Sequence, residues 1–271
     1  MARRRAGMPD ARLDAALSER GLARSRSHAA RLIADGLVTV DGEAQVKASH
    51  RVSEAQLIEV AGADHYVSRA AHKLIAALDA FAIDPAGVVA LDAGASTGGF
   101  SQVLLERGAS EVIAIDVGHA QLSLEIQENV NLRSIEGFNI RDITREWLGT
   151  QLRSPEFPKL VVADLSFISL GLVLEGLRDS VDPDADFVLL VKPQFEVGRS
   201  GIREGIVRDR GLRQDSVSNV LWGAWDLGLG TAGVIDSPIA GNAGNREYLV
   251  WLSAARGTNP TEWRESVEAL A

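Results

Sequence analysis

Two of the four lysines in this sequence stand where a basic amine could do chemistry. The 271 residues include 24 arginines, but the lysines are only Lys47, Lys73, Lys159 and Lys192. Lys192 ends an apolar run that predicts a strand, at the edge of an open α/β sheet where ligands bind. Lysine can lose its proton when it is desolvated or lies near another cation, whereas arginine cannot. We therefore interpret Lys192 as a candidate general base, with anion binding as the alternative role.

Three further charged residues are expected at the same edge of the sheet. Asp164 ends a second apolar run, and Glu247 opens the last apolar run of the chain. Lys73 lies in a predicted helix just before the first strand of the large domain. A single charge at a strand end is often part of a structural ion pair. The complete set of lysine, aspartate, lysine and glutamate in this chain order is more specific, and it predicts one catalytic site.

A glycine-rich stretch, Leu91–Phe100, lies between an apolar run and a helix-compatible run. Its glycine spacing differs from the G-x-G-x-x-G pattern of dinucleotide sites, and Asp92 at the predicted strand end would repel a pyrophosphate. A carboxylate there suits an ammonium or sulfonium charge, while Asp116 lies where an acid hydrogen-bonds ribose hydroxyls. Adenosine with a positively charged tail is S-adenosylmethionine, although a tight turn in any α/β domain is the alternative. The candidate cofactor-binding residues are Asp92, Gly94, Ser96, Gly98, Phe100 and Asp116.

Alternating strands and helices would position these residues. Apolar runs predict strands that begin near residues 88, 111, 132, 160 and 186, with helices between them. The pattern favours an open, mostly parallel Rossmann-like sheet with helices on both faces. The last two strands, 231–235 and 247–252, are expected to pair antiparallel. Helices are predicted over 69–78, with Ser68 as the N-cap, and over 101–107, 120–128, 170–177 and 262–270. A further helix is predicted to end near residue 227.

The first sixty residues differ from the rest in charge. Residues 1–31 contain eight basic and three acidic side chains, whereas residues 61–271 contain 18 and 29, within a net charge of −9. Two amphipathic helices, a strand that leads into Asp41-Gly42 and a further strand at 57–60 predict a small α+β module. The asymmetry suggests a basic nucleic-acid reader attached to an acidic body.

This segment resembles the S-four-like RNA-binding domain. The resemblance rests on RLD at 12–14, GLARSR at 21–26, GLV at 36–38 and VDG at 40–42. It implies that the helical face meets structured RNA, mainly through its shape and its phosphates. The alternative is that the arginines are merely solvated. The candidate RNA-binding residues are Arg12, Arg24, Arg26 and Arg31.

Composition excludes several classes of protein. The chain is 46% hydrophobic and 24% charged, which is typical of globular domains. The absence of cysteine excludes disulfides, thiolate catalysis and cysteine-ligated zinc, and no metal site is predicted. The sequence shows neither a run of about 18 apolar residues nor a signal peptide. We expect a soluble, cytoplasmic protein.

Across nearly its whole length the chain is similar to the TlyA family, the hemolysin A-like ribosomal RNA 2′-O-methyltransferases with an FtsJ-like catalytic domain. The shared motifs are SRAAHKL at 68–74, DAGASTGGF at 92–100, VADLSFIS at 162–169 and VKPQFEVG at 191–198. The resemblance implies an α/β fold with a Rossmann-like class I methyltransferase domain and a small α+β RNA-binding domain. Their expected bounds are 68–271 and 8–62, joined by a linker at 63–67. The linker keeps an aromatic residue but otherwise departs from the family pattern.

The resemblance also implies the reaction and its residues. The substrate would be a cytidine ribose in ribosomal RNA of assembled subunits, with S-adenosylmethionine as donor, no membrane, and no obligate protein partner evident. Lys192 would take the hydroxyl proton, and Lys73, as a nearby cation, would favour its neutral amine. Asp164 and Glu247 would orient the two amines. Asp116 would hold the ribose of the cofactor, and Asn139 would contact its adenine.

Three rival functions remain open at this stage. A nicotinamide-dependent oxidoreductase would use the same fold, but the glycine spacing does not match. A pore-forming hemolysin would need a membrane-spanning or strongly amphipathic basic segment, and the sequence contains neither. A non-catalytic RNA-binding factor would need only the arginine-rich module, and the complete tetrad counts against it.

Overall fold

A computed structural model of the chain describes residues 11–23, 25–34, 36–60, 65–198, 205–241 and 244–270. The chain divides into two compact units, residues 1–65 and residues 66–271. Tyr66 and Val67, which we placed in the linker, belong to the second unit. Val67 is 5% exposed, and its N–H donates to Gln102 Oε1 at 2.7 Å.

The first unit is a small α+β module. Its hydrophobic core is formed by apolar side chains of both helices and of the short strands. The predicted hairpin is confirmed, because Val40 pairs with Glu43 across Asp41 and Gly42, both of which have positive φ. Its elements are β1 (Ala11–Arg12), α1 (Leu13–Glu19), α2 (Arg26–Ala34), β2 (Val38–Val40), β3 (Glu43–Gln45), β4 (Arg51–Val52) and β5 (Ile58–Val60).

The second unit alternates strands and helices, as predicted. Its strands are β6 (Val89–Ala93), β7 (Glu111–Asp116), β8 (Leu132–Glu136), β9 (Leu160–Ala163), β10 (Asp186–Val191), β11 (Gly230–Asp236) and β12 (Tyr248–Ser253). Its α-helices are α3 (Ala71–Phe81), α4 (Gly99–Glu106), α5 (Leu124–Gln127), α6 (Arg145–Gln151), α7 (Leu174–Ser180), α8 (Pro193–Glu196), α9 (Arg210–Asp226) and α10 (Arg264–Ala269).

The seven strands form one sheet in the order β11-β12-β10-β9-β6-β7-β8. Strands β8, β7, β6, β9 and β10 pair in parallel, and β12 pairs antiparallel with both β10 and β11, as we expected of the last two strands. The chain moves outward from β6 to β8 and then returns to β9 on the other side of β6. This reversal creates a crevice at the carboxyl ends of β6 and β9, where ligands bind in such sheets.

Hydrophobic clusters cover both faces of the sheet. Along β6, Val89, Leu91 and Ala93 belong to one cluster, whereas Ala90 belongs to the other. Side chains alternate between the faces of a strand, so β6, which is buried on both faces, is apolar except for Asp92. The sequence predicted such buried strands for this reason.

Several helix bounds differ from the prediction. The helix expected over 120–128 contains only α5, because the Glu136 carboxylate accepts the N–H groups of Ala120 and Gln121 at 2.7 and 3.2 Å. Ala120 has φ 53°, which no helix residue adopts. The α-helix α3 begins at Ala71, later than predicted, and the predicted N-cap Ser68 accepts the Ala70 N–H at 3.2 Å in the turn that leads into it. Helices α6 and α8 were not predicted.

Candidate active site

The sheet brings three of the four predicted catalytic residues to one edge. Asp164 directly follows β9, and Lys192 directly follows the parallel neighbour β10. Strand β12 runs in the opposite direction, with Tyr248 paired to Val191, so the residue before its first position reaches the same edge. That residue is Glu247. The antiparallel pairing therefore places an early-strand residue beside two late-strand residues.

The four residues form a connected network of ion pairs. Lys192 Nζ lies 2.5 Å from Asp164 Oδ1, and Lys73 Nζ lies 2.5 Å from Glu247 Oε2 and 3.7 Å from Asp164 Oδ2. Exposed fractions of the side chains are 7% for Lys73, 9% for Lys192, 16% for Asp164 and 3% for Glu247. Asp164 therefore joins the two lysines, and Glu247 pairs with Lys73 alone among the described residues.

Space around Glu247 is created by neighbouring small and polar residues. A Cβ at Gly241 would collide with Glu247 Oε1, so glycine is needed there. Buried Asn245 donates to Gly205 O at 2.8 Å and accepts from Val207 N–H at 3.1 Å. These bonds hold the turn before β12 against the segment around Val207.

Sequence reasoning missed a fifth residue of the network. Lys192 Nζ lies 2.9 Å from Ser166 Oγ, in the loop that follows Asp164. The next residue, Phe167, is 91% exposed with φ 66°, and its ring centroid lies 5.3 Å from that of Phe195. Ser166 and Phe167 both lie in the VADLSFIS motif at 162–169, but no role was predicted for either residue.

The glycine-rich loop after β6 is built for close approach of backbone. Gly94 and Gly98 have φ of 83° and 92°, and a Cβ at Gly94 would come within 2.9 Å of Leu165 and 3.1 Å of Asp164 O. Ser96 is also left-handed, at φ 48°, and its N–H donates to Asp116 Oδ2 at 2.8 Å. The other oxygen of Asp116 accepts from Gly118 N–H at 2.7 Å. Asp116 thus organises the loop from the end of β7.

Two predicted cofactor residues lie elsewhere than expected. Asp92 is not at the strand end but one residue inside β6, and it is fully buried. Its Oδ2 accepts from Ser101 Oγ at 2.6 Å, while Oδ1 has no partner among the described residues. Phe100 is 3% exposed and packs in a hydrophobic cluster. Both side chains therefore support the loop from behind.

The environment of Asp92 changes its acid strength. Burial is the main cause, and the charges of Asp164 and then Asp116 add to it, raising the pKa of Asp92 to about 7 against the opposing hydrogen bond from Ser101. A carboxyl group in this position carries a proton for part of the time near neutral pH. This differs from the permanently charged group that the sequence suggested.

Asn139 lies in the loop after β8, on the same edge of the sheet as Asp116. The two loops are joined because Phe138 N–H donates to Asp116 O at 3.1 Å and Gly137 N–H donates to Gly118 O at 3.0 Å. Asn139 is exposed, and its Oδ1 accepts from Arg141 N–H at 3.1 Å. This hydrogen bond fixes the orientation of the Asn139 side chain and therefore of its amide NH₂ group.

Comparison with known proteins assigns the chain to a family. The model of the FtsJ-like methyltransferase family matches residues 66–254, and that of the S4 domain matches residues 11–58. The TlyA 16S/23S rRNA (cytidine-2′-O)-methyltransferase of Mycobacterium tuberculosis is 48% identical over 245 residues, which cover 89% of either chain. The chain belongs to the TlyA family.

Other TlyA-like proteins span a similar length. Hemolysin A of Brachyspira hyodysenteriae is 38% identical over 239 residues, covering 88% of this chain and 98% of that protein. A solved structure from Streptococcus thermophilus, described as a hemolysin, superposes with a TM-score of 0.74 at 35% identity, covering 96% and 95% of the two chains. The predicted fold class and the methyltransferase activity are confirmed.

The FtsJ-like domain uses S-adenosylmethionine, as the sequence predicted, and the residues present fit this cofactor. The left-handed glycines Gly94 and Gly98 let the loop pack closely against Leu165 and Ile126, and the loop is hydrogen-bonded to Asp116 through the Ser96 N–H. Each Asp116 oxygen accepts one backbone N–H, and a carboxylate oxygen can accept a second donor. Asp116 could therefore still accept the ribose hydroxyls of the cofactor.

In the S4 domain, two of the predicted RNA-binding arginines share one carboxylate. Arg12 donates to both oxygens of Asp14 at 2.9 and 3.0 Å, and Arg26 donates to Oδ2 at 3.3 Å. The Arg12 guanidinium is the main cause that lowers the pKa of Asp14. Arg31 is exposed near the end of α2, and Arg24 lies outside the described residues. Asp14 thus orients two cations at the start of the helices.

Within the described part of the chain, none of the helices is both long enough and apolar enough to cross a bilayer.

Proposed function

We propose that the protein transfers a methyl group from S-adenosylmethionine to the 2′-hydroxyl of a cytidine in ribosomal RNA. The observation that carries this proposal is the tetrad Lys73, Asp164, Lys192 and Glu247 at the sheet edge next to the glycine-rich loop. The name of the mycobacterial relative, an rRNA (cytidine-2′-O)-methyltransferase, supports the choice of ribose and of cytidine.

The reaction requires a base because a ribose hydroxyl is a poor nucleophile near neutral pH. S-adenosylmethionine supplies an electrophilic methyl group on a positively charged sulfur. As the ribose oxygen displaces the sulfur from that methyl group, the neutral Lys192 Nζ would take the hydroxyl proton. The protein contributes position and proton handling.

The contacts of Lys192 explain how its amine could be aimed. The ion-paired ammonium group of Lys192 must release a proton before it can act as a base, and the neutral amine that results has two N–H groups and one lone pair. Asp164 Oδ1 at 2.5 Å and Ser166 Oγ at 2.9 Å can accept the two N–H groups. The lone pair is then left for the ribose hydroxyl. After transfer, the new ammonium group lies beside the Asp164 carboxylate, which stabilises the charge.

Lys73 has a different set of partners. It lies on the first turn of α3 and contacts Glu247 and Asp164. Lys73 and Lys192 both contact Asp164, so the positive charge of Lys73 offsets part of the negative charge of the Asp164 carboxylate. We assign Lys73 and Glu247 to orientation of Asp164 and to the local charge balance.

Binding of assembled ribosomal subunits is the proposed role of the S4 domain. The Arg12 and Arg26 side chains held by Asp14 provide two fixed cations for phosphates. On the catalytic domain, the exposed Phe167 ring gives a surface on which an unstacked base could rest. Both features favour folded RNA with an accessible nucleotide over a small-molecule acceptor.

The experiment is methyl transfer to purified small and large ribosomal subunits, with labelled S-adenosylmethionine. Sites are then mapped as 2′-O-methyl nucleotides by their resistance to alkaline hydrolysis. We expect ribose methylation of a cytidine in at least one subunit, and none with an Asp164→Asn protein. Methylation of a base, or no transfer to either subunit, would contradict the proposal.

A further inference from the structure

A carboxylate outside the tetrad connects the two loops that begin at Asp164 and at Lys192. Glu196 is the last residue of α8, the short helix that follows Lys192. Its Oε2 accepts from Ser169 Oγ at 2.5 Å, and its Oε1 accepts from Leu170 N–H at 2.9 Å. Ser169 and Leu170 belong to the loop after Asp164. Glu196 therefore bridges the loops after β9 and β10.

The loop that Glu196 holds contains the contact to Lys192. One end is fixed at Asp164 by the sheet, and the other at Leu170, which is 2% exposed in the hydrophobic core. Between these points, Ser166 and Phe167 are exposed, and Phe167 has φ 66°. A phenylalanine in the left-handed region is unfavourable and persists only when its surroundings hold it there. The two hydrogen bonds to Glu196 lie three and four residues from Ser166.

The position of Glu196 disfavours the charged form of its carboxyl group. Burial raises the pKa of its carboxyl group, and the hydrogen bonds from Ser169 and Leu170 partly oppose this effect. Ser169 Oγ also accepts from Gly171 N–H at 3.2 Å and thereby caps the 3₁₀ turn Leu170–Leu172. The carboxylate thus fixes both the side chain and the backbone of the first residues of this turn.

We propose that Glu196 is a positioning residue, which keeps Ser166 against Lys192 by holding the loop at Ser169 and Leu170. The inference rests on the proposed methyl transfer, because its effect is read through the base Lys192. Among the described residues, no hydrogen bond or ion pair joins the Glu196 carboxylate to Lys192 Nζ. Its removal would therefore change the geometry of the amine, and leave the cofactor loop and the S4 domain unaffected.

The test compares Glu196→Ala and Glu196→Gln with the native full-length protein, and uses Glu175→Ala as a control. Glu175 is an exposed acid on α7, so the control removes the same charge. Glutamine keeps an oxygen for Leu170 N–H, and its NH₂ can donate to Ser169 Oγ, which can accept two hydrogen bonds. Measurements are single-turnover methyl transfer to subunits at saturating RNA and cofactor, S-adenosylmethionine affinity, and thermal melting.

We expect Glu196→Ala to slow the single-turnover rate by about tenfold or more, since small misplacement of a reacting group is costly. Cofactor affinity should stay within about twofold, and Glu196→Gln should recover most of the rate. In a Ser166→Ala background, Glu196→Ala should add little, because the contact that it maintains is already absent. This non-additivity separates positioning of Ser166 from general stabilisation.

Three results would overturn the inference. The first is a native rate for Glu196→Ala. The second is an equal loss in Glu196→Ala and Glu196→Gln together with weaker cofactor binding. The third is full additivity with Ser166→Ala. Failure of the proposed function is distinct, because the native protein and the Glu175→Ala control would then transfer no methyl group to either subunit.

Discussion

Replacement of Lys192 by arginine is the most direct test of the base. Lys192 Nζ contacts Asp164 Oδ1 at 2.5 Å and Ser166 Oγ at 2.9 Å, and its side chain is 9% exposed. Arginine keeps the positive charge and can donate to the same oxygens. It cannot release a proton in a protein, so it cannot accept one from the ribose hydroxyl. The substitution therefore removes the proton transfer and keeps the ion pair.

The expected loss follows from what a positioned base contributes. Removal of a general base typically costs about 10²- to 10⁴-fold in rate, which corresponds to about 3–5 kcal/mol in the barrier. The larger guanidinium must fit a buried site, so part of the loss could come from displaced neighbours. Cofactor affinity, subunit binding and thermal melting are therefore measured on the same protein, and all three should stay close to native values.

The assay is single-turnover methyl transfer to ribosomal subunits, because product release then does not limit the rate. Lys159→Arg is the matched control, since Lys159 is exposed and the same atoms are changed. The control should react at the native rate. A Lys192→Arg rate within about threefold of native would refute the base assignment, because an anion-binding lysine tolerates arginine. Lys73 would then be the next candidate.

Three further variants test the cofactor site, the RNA face and the buried acid. Asp116→Ala should weaken S-adenosylmethionine binding by about 1.5–3 kcal/mol, and unchanged affinity in calorimetry would contradict the assignment. Arg12→Ala with Arg26→Ala should lower the salt dependence of subunit binding by about two phosphate contacts, and an unchanged slope would exclude them from the interface. The pKa of Asp92 is raised to about 7, so the fold binds its proton and loses stability as pH rises from about 4 to about 7. Asp92→Asn should remove this loss of unfolding free energy, which amounts to at most about 4 kcal/mol. If Asp92→Asn shifted the melting temperature from that of the native protein equally at about pH 5 and about pH 8, the result would contradict this prediction.

The catalytic edge could be predicted because strand ends are visible in the sequence. Apolar runs that stop at Asp164 and Lys192 predict parallel strands with charged residues at one edge, and the structure places both there. Glu247 required one more step, since an early-strand residue reaches that edge only when its strand is antiparallel. The sequence favoured such a pairing, and the register of Val191 with Tyr248 confirms it.

Contacts made by loops could not be predicted in the same way. Ser166 and Glu196 lie in quoted motifs, but no periodicity indicates that one touches Lys192 and the other holds Ser169. The end of β6 was predicted at Asp92, one residue before its observed end at Ala93. The position of a strand end depends on pairing with neighbouring strands rather than on composition. Helix α6 did leave a usable signal, since Thr144 caps it by accepting Trp147 N–H at 3.2 Å.

The balance of charge in the tetrad determines which substitutions are informative. The network contains two ammonium groups and two carboxylates, all largely buried, with Asp164 shared between the lysines. Loss of one member leaves an uncompensated buried charge, which is strongly destabilising whatever the chemical role of that member. Alanine at any of the four positions would therefore lower activity, including at residues that never touch the ribose. Only a change that keeps the charge and removes one chemical property, such as lysine to arginine at position 192, separates the base from its supports.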